Sequence, residues 1–444
     1  MTDRQSAVPR ARLVIVALGL LLVAVVAAAV VVVLGNGGSA PAPSEPATGP
    51  TAPAAVARLH EIQHLLVQRS KAVLHHDKGA FLATVDPQSP TFRRRQSRMF
   101  RNLAAVHFAS WSYGMTADPR RDPPDAERYA DPVWAPSFFA LRYRLARFDS
   151  RPTNLQQYPT FVKRDGHWYL GSLTDYAPRG LVSATDLWDY GKVTVLRRSD
   201  VLVLGFADDR ETMRSVASDV HDAIPQVTKV WGTRWAQRAV VIVPRTMRQM
   251  ALIDADRENL SEIAALTSAE VSTRPGHPTP VGDRITINPS NWPRLSPLGQ
   301  SIVLRHELTH VATQSVTGAQ TPSWLSEGFA DYVGFKFSGI STSLAGHELQ
   351  TEIEAGHVPS RLPRERGFRG SSTRLAVTYE AAWFACRTIV ERYGERKLVR
   401  FYRAVGTSSA PTAQAVRSAL MSVLDLPLGR FVTLWRHAMV TELA

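Results

Sequence analysis

The sequence predicts an α+β protein with two folded regions, at residues 56–180 and 181–444. In the first region, helical periodicity comes before strand-like alternation of apolar and polar residues. In the second region, short β-branched runs that predict a small sheet come before a half with a helical pattern. Apolar residues make up 44% of the 444 residues, a fraction typical of chains that bury a core.

An apolar segment at 13–34 precedes both regions and contains no charged or polar side chain. At about 1.5 Å per residue, a helix of this length crosses a hydrocarbon layer of about 30 Å. Basic residues precede the segment, and the next one after it is Arg58. This asymmetry predicts a single-pass anchor in the cell membrane, with 1–12 as a cytoplasmic tail and the rest of the chain outside. A cleaved signal peptide is the alternative, but its apolar stretch is usually only about 7–15 residues long.

Residues 35–55 are mostly Gly, Pro, Ser and Ala without apolar periodicity, which predicts a flexible or extended linker. The only cysteine is Cys386, so an intramolecular disulfide and a zinc site built on several thiolates are both excluded. An exported chain with so little cysteine suits a bacterial envelope. The net charge of +13 predicts attraction to anionic surfaces such as envelope polymers, and no nucleic acid is expected outside the membrane.

The region at 56–180 shows helical spacing over 56–74 and strand patterns over 106–115 and 138–148. Between two further strand-like segments, Asp165-Gly166 predicts a tight hairpin. Helices followed by one curved antiparallel sheet resemble the NTF2-like group. Five arginines between residues 93 and 101 form a basic cluster, which could contact an anionic polymer or be a solvated helix face.

The segment Ser301–Ala312 is helical in pattern and contains His306-Glu307-Leu308-Thr309-His310. On a helix, His306 and His310 lie on one face and can bind one metal ion together. Glu307 is turned by about 100° from His306, so it can reach a metal-bound water without binding the metal. Imidazole suits Zn²⁺, which in a catalytic site needs a third protein ligand and one open position. The alternative is a buried helix with two hydrogen-bonded histidines.

A second helix is predicted around Trp324–Tyr332, following a helix-start signal. Glu327 comes 17 residues after His310, which leaves room for a turn and a return past the histidines, so Glu327 is the candidate third ligand. Asp331 lies one helical turn beyond Glu327 on the same face. Its carboxylate can accept the free N–H of a ligand histidine and thereby hold the imidazole in the correct tautomer. A solvated helix face is the alternative for both residues.

A His-Glu-x-x-His helix followed by a Trp-Leu-x-Glu-Gly segment resembles the gluzincin zinc metallopeptidases of the peptidase MA-like superfamily. The resemblance covers about 185–444 and implies a zincin-like fold, Zn²⁺ as cofactor, Glu307 as general base, and a peptide or protein substrate. It also implies that Tyr379, 52 residues after Glu327, hydrogen-bonds the oxyanion. An aromatic packing residue is the alternative for Tyr379.

One departure from that resemblance concerns recognition of the substrate. Gluzincin aminopeptidases carry a Gly-x-Met-x-Asn strand that recognises the free amine, and the strand predicted at Asp283–Asn288 lacks this motif. The strand near Arg284–Asn288 could bind an extended peptide by strand addition. The sequence thus predicts a membrane-anchored, extracytoplasmic zinc metallopeptidase. The alternatives are a catalytically idle zincin-like binding or scaffold protein of the envelope, and a polymer binder that acts through the region at 56–180.

Overall fold

The structure, a computed structural model, describes residues 52–120, 128–253, 263–272, 279–369 and 372–444. The predicted cytoplasmic tail at 1–12, the anchor at 13–34 and most of the linker at 35–55 lie outside the described residues. Within the described ranges, no helix combines the length and the apolar character that crossing a membrane requires. Helix α1 (Ala52–Leu74) begins inside the predicted linker, so the last four linker residues are helical.

The first region has helices before strands, as predicted. Two further helices follow α1: α2 (Lys78–Ala83) and α3 (Pro90–Asn102). The strands are β1 (Phe108–Met115), β2 (Val133–Trp134), β3 (Phe139–Leu145), β4 (Thr153–Gln156), β5 (Thr160–Arg164) and β6 (His167–Ser172). They form two three-stranded antiparallel sheets, β1-β3-β4 and β2-β5-β6, where one curved sheet was predicted. That prediction was wrong because β3 is paired on both sides by β1 and β4, while β5 is paired by β2 and β6.

The hairpin predicted at Asp165-Gly166 is confirmed. It joins β5 to β6 in antiparallel register. The two turn residues have φ of 47° and 82°, in the left-handed region that a two-residue type I′ turn requires at both positions.

The second region begins with a five-stranded sheet in the order β10-β11-β9-β8-β7. Its strands are β7 (Thr194–Arg197), β8 (Val201–Gly205), β9 (Ala239–Ile242), β10 (Ala265–Ser272) and β11 (Thr279–Ile287). Helix α4 (Arg210–Trp231) connects the parallel pair β8 and β9, and α5 (Met247–Ile253) follows β9.

The strand predicted near Arg284–Asn288 to bind an extended peptide is not at the edge of this sheet. It belongs to β11, which is paired by β10 on one side and by β9 on the other, so its backbone is already used. That prediction was wrong. The edge strands are β10 and β7, and β10 is the one beside β11. The sequence did not predict β10, because its small and polar residues show no clear alternation. Like β11, β10 has no Gly-x-Met-x-Asn motif.

The rest of the chain is helical, as the sequence predicts. The helices are α6 (Pro297–Thr313), α7 (Ser323–Lys336), α8 (Thr342–Ala345), α9 (His347–Glu354), α10 (Leu375–Tyr393), α11 (Glu395–Gly406), α12 (Thr412–Leu424) and α13 (Leu428–Leu443). Their apolar faces and one face of the sheet form a single core.

Both faces of the central strands β8 and β9 are buried. Successive side chains of a strand point to opposite faces, and here Val201 and Val203 pack with the helices, whereas Leu202 and Leu204 pack with the first region. On that second face the first region contributes aromatic side chains that include Trp111. The first region therefore covers the outer face of the sheet.

A buried ion pair also joins the two regions. Arg284 of β11 donates to both carboxylate oxygens of Asp149, which follows β3, at 2.8 and 2.8 Å. The two side chains are 9% and 2% exposed. Two parallel N–H···O bonds to one carboxylate are the strong, directional form of this interaction, so the first region is attached to the strand beside the sheet edge.

Candidate metal centre

Helix α6 carries polar residues into the protein interior. It begins where Ser296 accepts a hydrogen bond from Gly299 N at 3.2 Å, with Pro297 in the first helical position. Every residue from 302 to 309 is buried. Polar and charged side chains in such a helix need partners, because burial without them is costly.

Helix α7 packs against α6 and carries the predicted third ligand. Arg305 of α6 is 4% exposed, and its Nε donates to the carbonyl of Gly334 in α7 at 3.0 Å. The same guanidinium donates to Ser301 Oγ at 2.9 Å. Arg305 therefore fixes the register of the two helices and brings Glu327 opposite the two histidines.

Three donor atoms converge at this crossing. His306 Nε2 and His310 Nε2 are 3.0 Å apart, and Glu327 Oε2 lies 3.4 Å from the first and 3.5 Å from the second. Tetrahedral Zn²⁺ with ligands at 2.0–2.1 Å separates neighbouring ligand atoms by about 3.3 Å. Glu327 Oε2 is buried without a protein hydrogen-bond donor of its own among the described residues. The donor set and its spacing therefore fit one tetrahedral zinc ion.

The ligands differ in their environment. His306 and Glu327 are buried, while the side chain of His310 is 11% exposed, so the site opens on the His310 side. Burial raises the pKa of a carboxyl group, but the positive charges of His310 and His306, whose imidazole nitrogens lie 3.5 and 3.4 Å away, hold the pKa of Glu327 below its usual range. Glu327 is therefore anionic and suited to bind a metal cation.

Asp331 is hydrogen-bonded to His306 through the ring nitrogen that is not directed at the metal position. Its Oδ1 lies 2.8 Å from His306 Nδ1, and both side chains are buried. Burial on its own lowers the pKa of His306, but the charge of Asp331 and its hydrogen bond raise this pKa to about 10. With Nδ1–H donated to Asp331, Nε2 is the nitrogen directed at the metal position.

Glu307 lies beside the ligands and is fully buried. Its Oε2 accepts a hydrogen bond from Thr267 Oγ1 of β10 at 2.6 Å, while its Oε1 has no partner among the described residues. Burial raises the pKa of Glu307, and the positive charges of His306 and His310 work against this rise. One carboxylate oxygen is thus held in place and the other is free for chemistry.

Tyr379, in the first turns of α10, is 1% exposed. Its hydroxyl has no hydrogen-bond partner in the part of the chain that the structure describes. Burial raises the pKa of Tyr379 well above its usual value, and the negative charges of Glu327, Asp331 and Glu307 raise it further. The phenol is therefore neutral and carries a free O–H beside the carboxylates of the site.

The structure thus brings together the candidate metal ligands His306, His310 and Glu327. The carboxylates of Glu307 and Asp331 lie beside them, and their charges raise the pKa of Tyr379. Two residues that organise the site, Arg305 and Thr267, were not predicted from the sequence. Arg305, a charged residue in an apolar helix, was a detectable signal. Thr267 was not detectable, because it comes from a strand that shows no strand pattern.

Comparison with models of known protein families gives no match, and comparison with curated proteins gives none either. Among solved structures, a mutant two-domain M1 zinc metallopeptidase bound to L-arginine is 13% identical and covers 75% of this chain and 69% of its own, with a TM-score of 0.32. A mutant M1 zinc metallopeptidase from Deinococcus radiodurans bound to a Tyr-Ser-Ala substrate is 14% identical and covers 74% and 70%, also with a TM-score of 0.32. Values this low carry no weight for function, which rests on the geometry of the site.

Proposed function

We propose that this protein is a zinc-dependent peptidase in which His306, His310 and Glu327 hold the metal. The observation that supports this is the triangle of three donor atoms with edges of 3.0, 3.4 and 3.5 Å. Bound Zn²⁺ lowers the pKa of a coordinated water to about 7 and polarises the carbonyl to be cleaved.

Glu307 is the general base in this proposal. Its free Oε1 accepts the proton of the attacking water, and the resulting carboxylic acid passes that proton to the leaving amine. Thr267 holds the other oxygen, so the carboxylate does not turn away from the reacting atoms. Tyr379 donates its free O–H to the oxyanion, an interaction that is worth about 3–4 kcal/mol in comparable sites.

The substrate in this proposal is an extended peptide bound along the outer edge of β10. Among the described strands, β10 is paired only with β11, so its other edge can accept a further strand. Thr267 lies in β10, and a peptide added there would pass beside Glu307.

The proposal places this site outside the cell. The apolar segment 13–34 would anchor the chain in the membrane of a bacterial envelope, with 35–55 as the tether. Contact with an anionic envelope polymer is part of the same proposal, since the net charge is +13.

Digestion of a peptide library with purified protein tests the activity. We expect cleavage that a chelator abolishes and that added Zn²⁺ restores. Glu307→Gln should lose cleavage while metal analysis still finds about one zinc per chain. Full activity of Glu307→Gln would disprove the assignment of the base, and zinc binding without any cleavage by the unmodified protein would favour an idle scaffold.

A further inference from the structure

A strongly basic loop lies between α9 and α10. Its residues 361–369 contain four exposed arginines that form no ion pair within the described part of the chain: Arg361, Arg364, Arg366 and Arg369. Four guanidinium groups within nine residues repel one another, and Glu365 is the one carboxylate within the segment.

This loop contacts α10, which carries Tyr379, and α7, which carries Glu327. The ring of Phe368 meets the ring of Tyr379 edge-on, with centroids 5.1 Å apart. Glu365 accepts hydrogen bonds from the backbone N of Ser323 at 3.0 Å and from the Ser323 hydroxyl, at the start of α7. Glu327 follows one turn later in the same helix.

Apolar residues hold the loop against the protein and leave the arginines outside. Phe368 belongs to the core, and Val358 and Leu362 pack against it. Arg366 and Arg369 are two residues and one residue from Phe368, so their backbones lie within about 8 Å of it. The Debye length is about 8 Å at physiological ionic strength and longer at low salt, so at low salt the field of these charges extends to a ligand that binds beside the loop.

Nearby carboxylates cancel only part of this charge. Glu365 keeps its negative charge while it accepts the two hydrogen bonds from Ser323, so segment 361–369 carries a formal net charge of +3. Glu352 of α9 is engaged by Arg374 at 2.5 Å and by His357 at 3.4 Å. A ligand with its own carboxylates is the missing partner, and a guanidinium binds a carboxylate through two parallel N–H donors.

We propose that the loop at 361–369 selects acidic peptides, with Asp or Glu side chains flanking the bond that is cleaved. This inference rests on the peptidase function proposed above and adds the substrate class. Exposed charges of this kind act mainly by steering association, so the preference should appear in kcat/KM and should weaken as salt is added.

The test compares two peptides of equal length that differ only in Glu against Gln at the positions flanking one cleavable bond. At low salt we expect the unmodified protein to cleave the acidic peptide with at least tenfold higher kcat/KM, and 0.5 M NaCl to remove most of that difference. Changing Arg361, Arg364, Arg366 and Arg369 to Gln should abolish the preference and leave kcat/KM for the neutral peptide within about twofold.

Helix α3 offers a matched control with the same change in net charge. Its arginines Arg94, Arg95, Arg98 and Arg101 are exposed and also form no ion pair with described residues. Changing these four to Gln should leave the preference intact. Equal kcat/KM for both peptides in the unmodified protein, or equal loss in the two variants, would overturn the inference and leave the peptidase function standing.

A binding measurement separates this inference from the chemistry. With Glu307→Gln, fluorescence anisotropy should show tighter binding of the acidic peptide, and the loop substitutions should remove that difference. If the unmodified protein cleaves neither peptide, the peptidase function fails. The selectivity of the loop is then supported by this binding difference and overturned by its absence.

Discussion

At the scale of single residues, a proton and a metal ion compete for Nε2 of His306. The charge and the hydrogen bond of Asp331 overcome the effect of burial and raise the pKa of His306 to about 10. In the metal-free protein this imidazole therefore carries a proton throughout the neutral range. Because zinc binds only the neutral form, metal binding has to release that proton.

We therefore expect the affinity for Zn²⁺ to rise by about tenfold per pH unit between pH 6 and 8. The sign follows from the raised pKa, since each unit of higher pH makes removal of the proton tenfold easier. Competition with a chromogenic chelator at several pH values measures this slope. Asp331→Asn should flatten the slope and weaken binding by about 10- to 100-fold, because the imidazole loses its orienting acceptor. A zinc affinity that does not change with pH would contradict the prediction.

Thr267 is the second residue with a testable role, and it acts through Glu307. Its hydroxyl is 2.6 Å from Glu307 Oε2, and both groups are buried. Thr267→Val keeps the shape of the side chain and removes the donor, so kcat should fall about 10- to 100-fold, the value of one hydrogen bond to a charged group.

KM and zinc content should stay close to normal in Thr267→Val, and Thr267→Ser should restore most of kcat. A merely structural role would not produce this separation of kcat from KM. Equal activity of the Ser and Val variants would show that the hydroxyl does not position the base.

At the scale of elements, the site depends on the close approach of α7 to α10. Gly328 follows Glu327, and a Cβ at this position would lie 2.3 Å from the carbonyl oxygen of Ala382 in α10. The obstacle is backbone and cannot rotate away. The absence of a side chain at 328 is what lets the helix with Glu327 lie against the helix with Tyr379.

Gly328→Ala should therefore force α7 and α10 apart, with a loss of about 1–3 kcal/mol in unfolding free energy and a lower zinc content. Urea denaturation and metal analysis measure the two effects. Gly429→Ala in α13 is the control, since no atom lies within 4 Å of the Cβ position there. It should leave stability unchanged or slightly raised. If both variants behave alike, helix propensity and not the close approach determines the effect.

At the scale of the whole molecule, the first region and the helical half share one sheet. Leu202 and Leu204 face the first region, while Val201 and Val203 face the helices. Arg284 and Asp149 add a buried ion pair next to the edge strand. In the register of the sheet, Arg284 lies opposite Ser268, the neighbour of Thr267. The first region therefore supports the strand that contacts Glu307.

Asp149→Ala should lower the unfolding free energy by about 3–5 kcal/mol, because Arg284 is left buried without its partner. Chemical denaturation measures the change. Glu61→Gln is the control, since Glu61 pairs with Lys163 at 3.8 Å on the surface. It should cost less than about 1 kcal/mol. Equal effects of the two substitutions would mean that the pair does not hold the regions together.

The sequence by itself determined the features that depend on spacing along one chain. His306 and His310 share a face in any α-helix, and Asp165-Gly166 specifies its turn locally. The interval between His310 and Glu327 is long enough for the chain to turn and for a second helix to pass the histidines. Most helices, and strands β7, β8 and β9 of the five-stranded sheet, followed from apolar patterns in the same way. These features need no information about distant neighbours.

Only the tertiary structure decided which distant segments meet. Thr267 reaches Glu307 from 40 residues away, on a strand whose own residues show no period. Strand β11 lies inside the sheet and not at its edge because it pairs with β9. The sequence of one strand does not show which other strand it pairs with. The cover of the sheet by the first region likewise comes from packing between segments far apart in sequence. Strand order and the contact between the two regions depend on pairing and packing between segments far apart in the chain. The spacing of residues along the sequence therefore identified the candidate metal ligands, and the tertiary packing determined which residues support them.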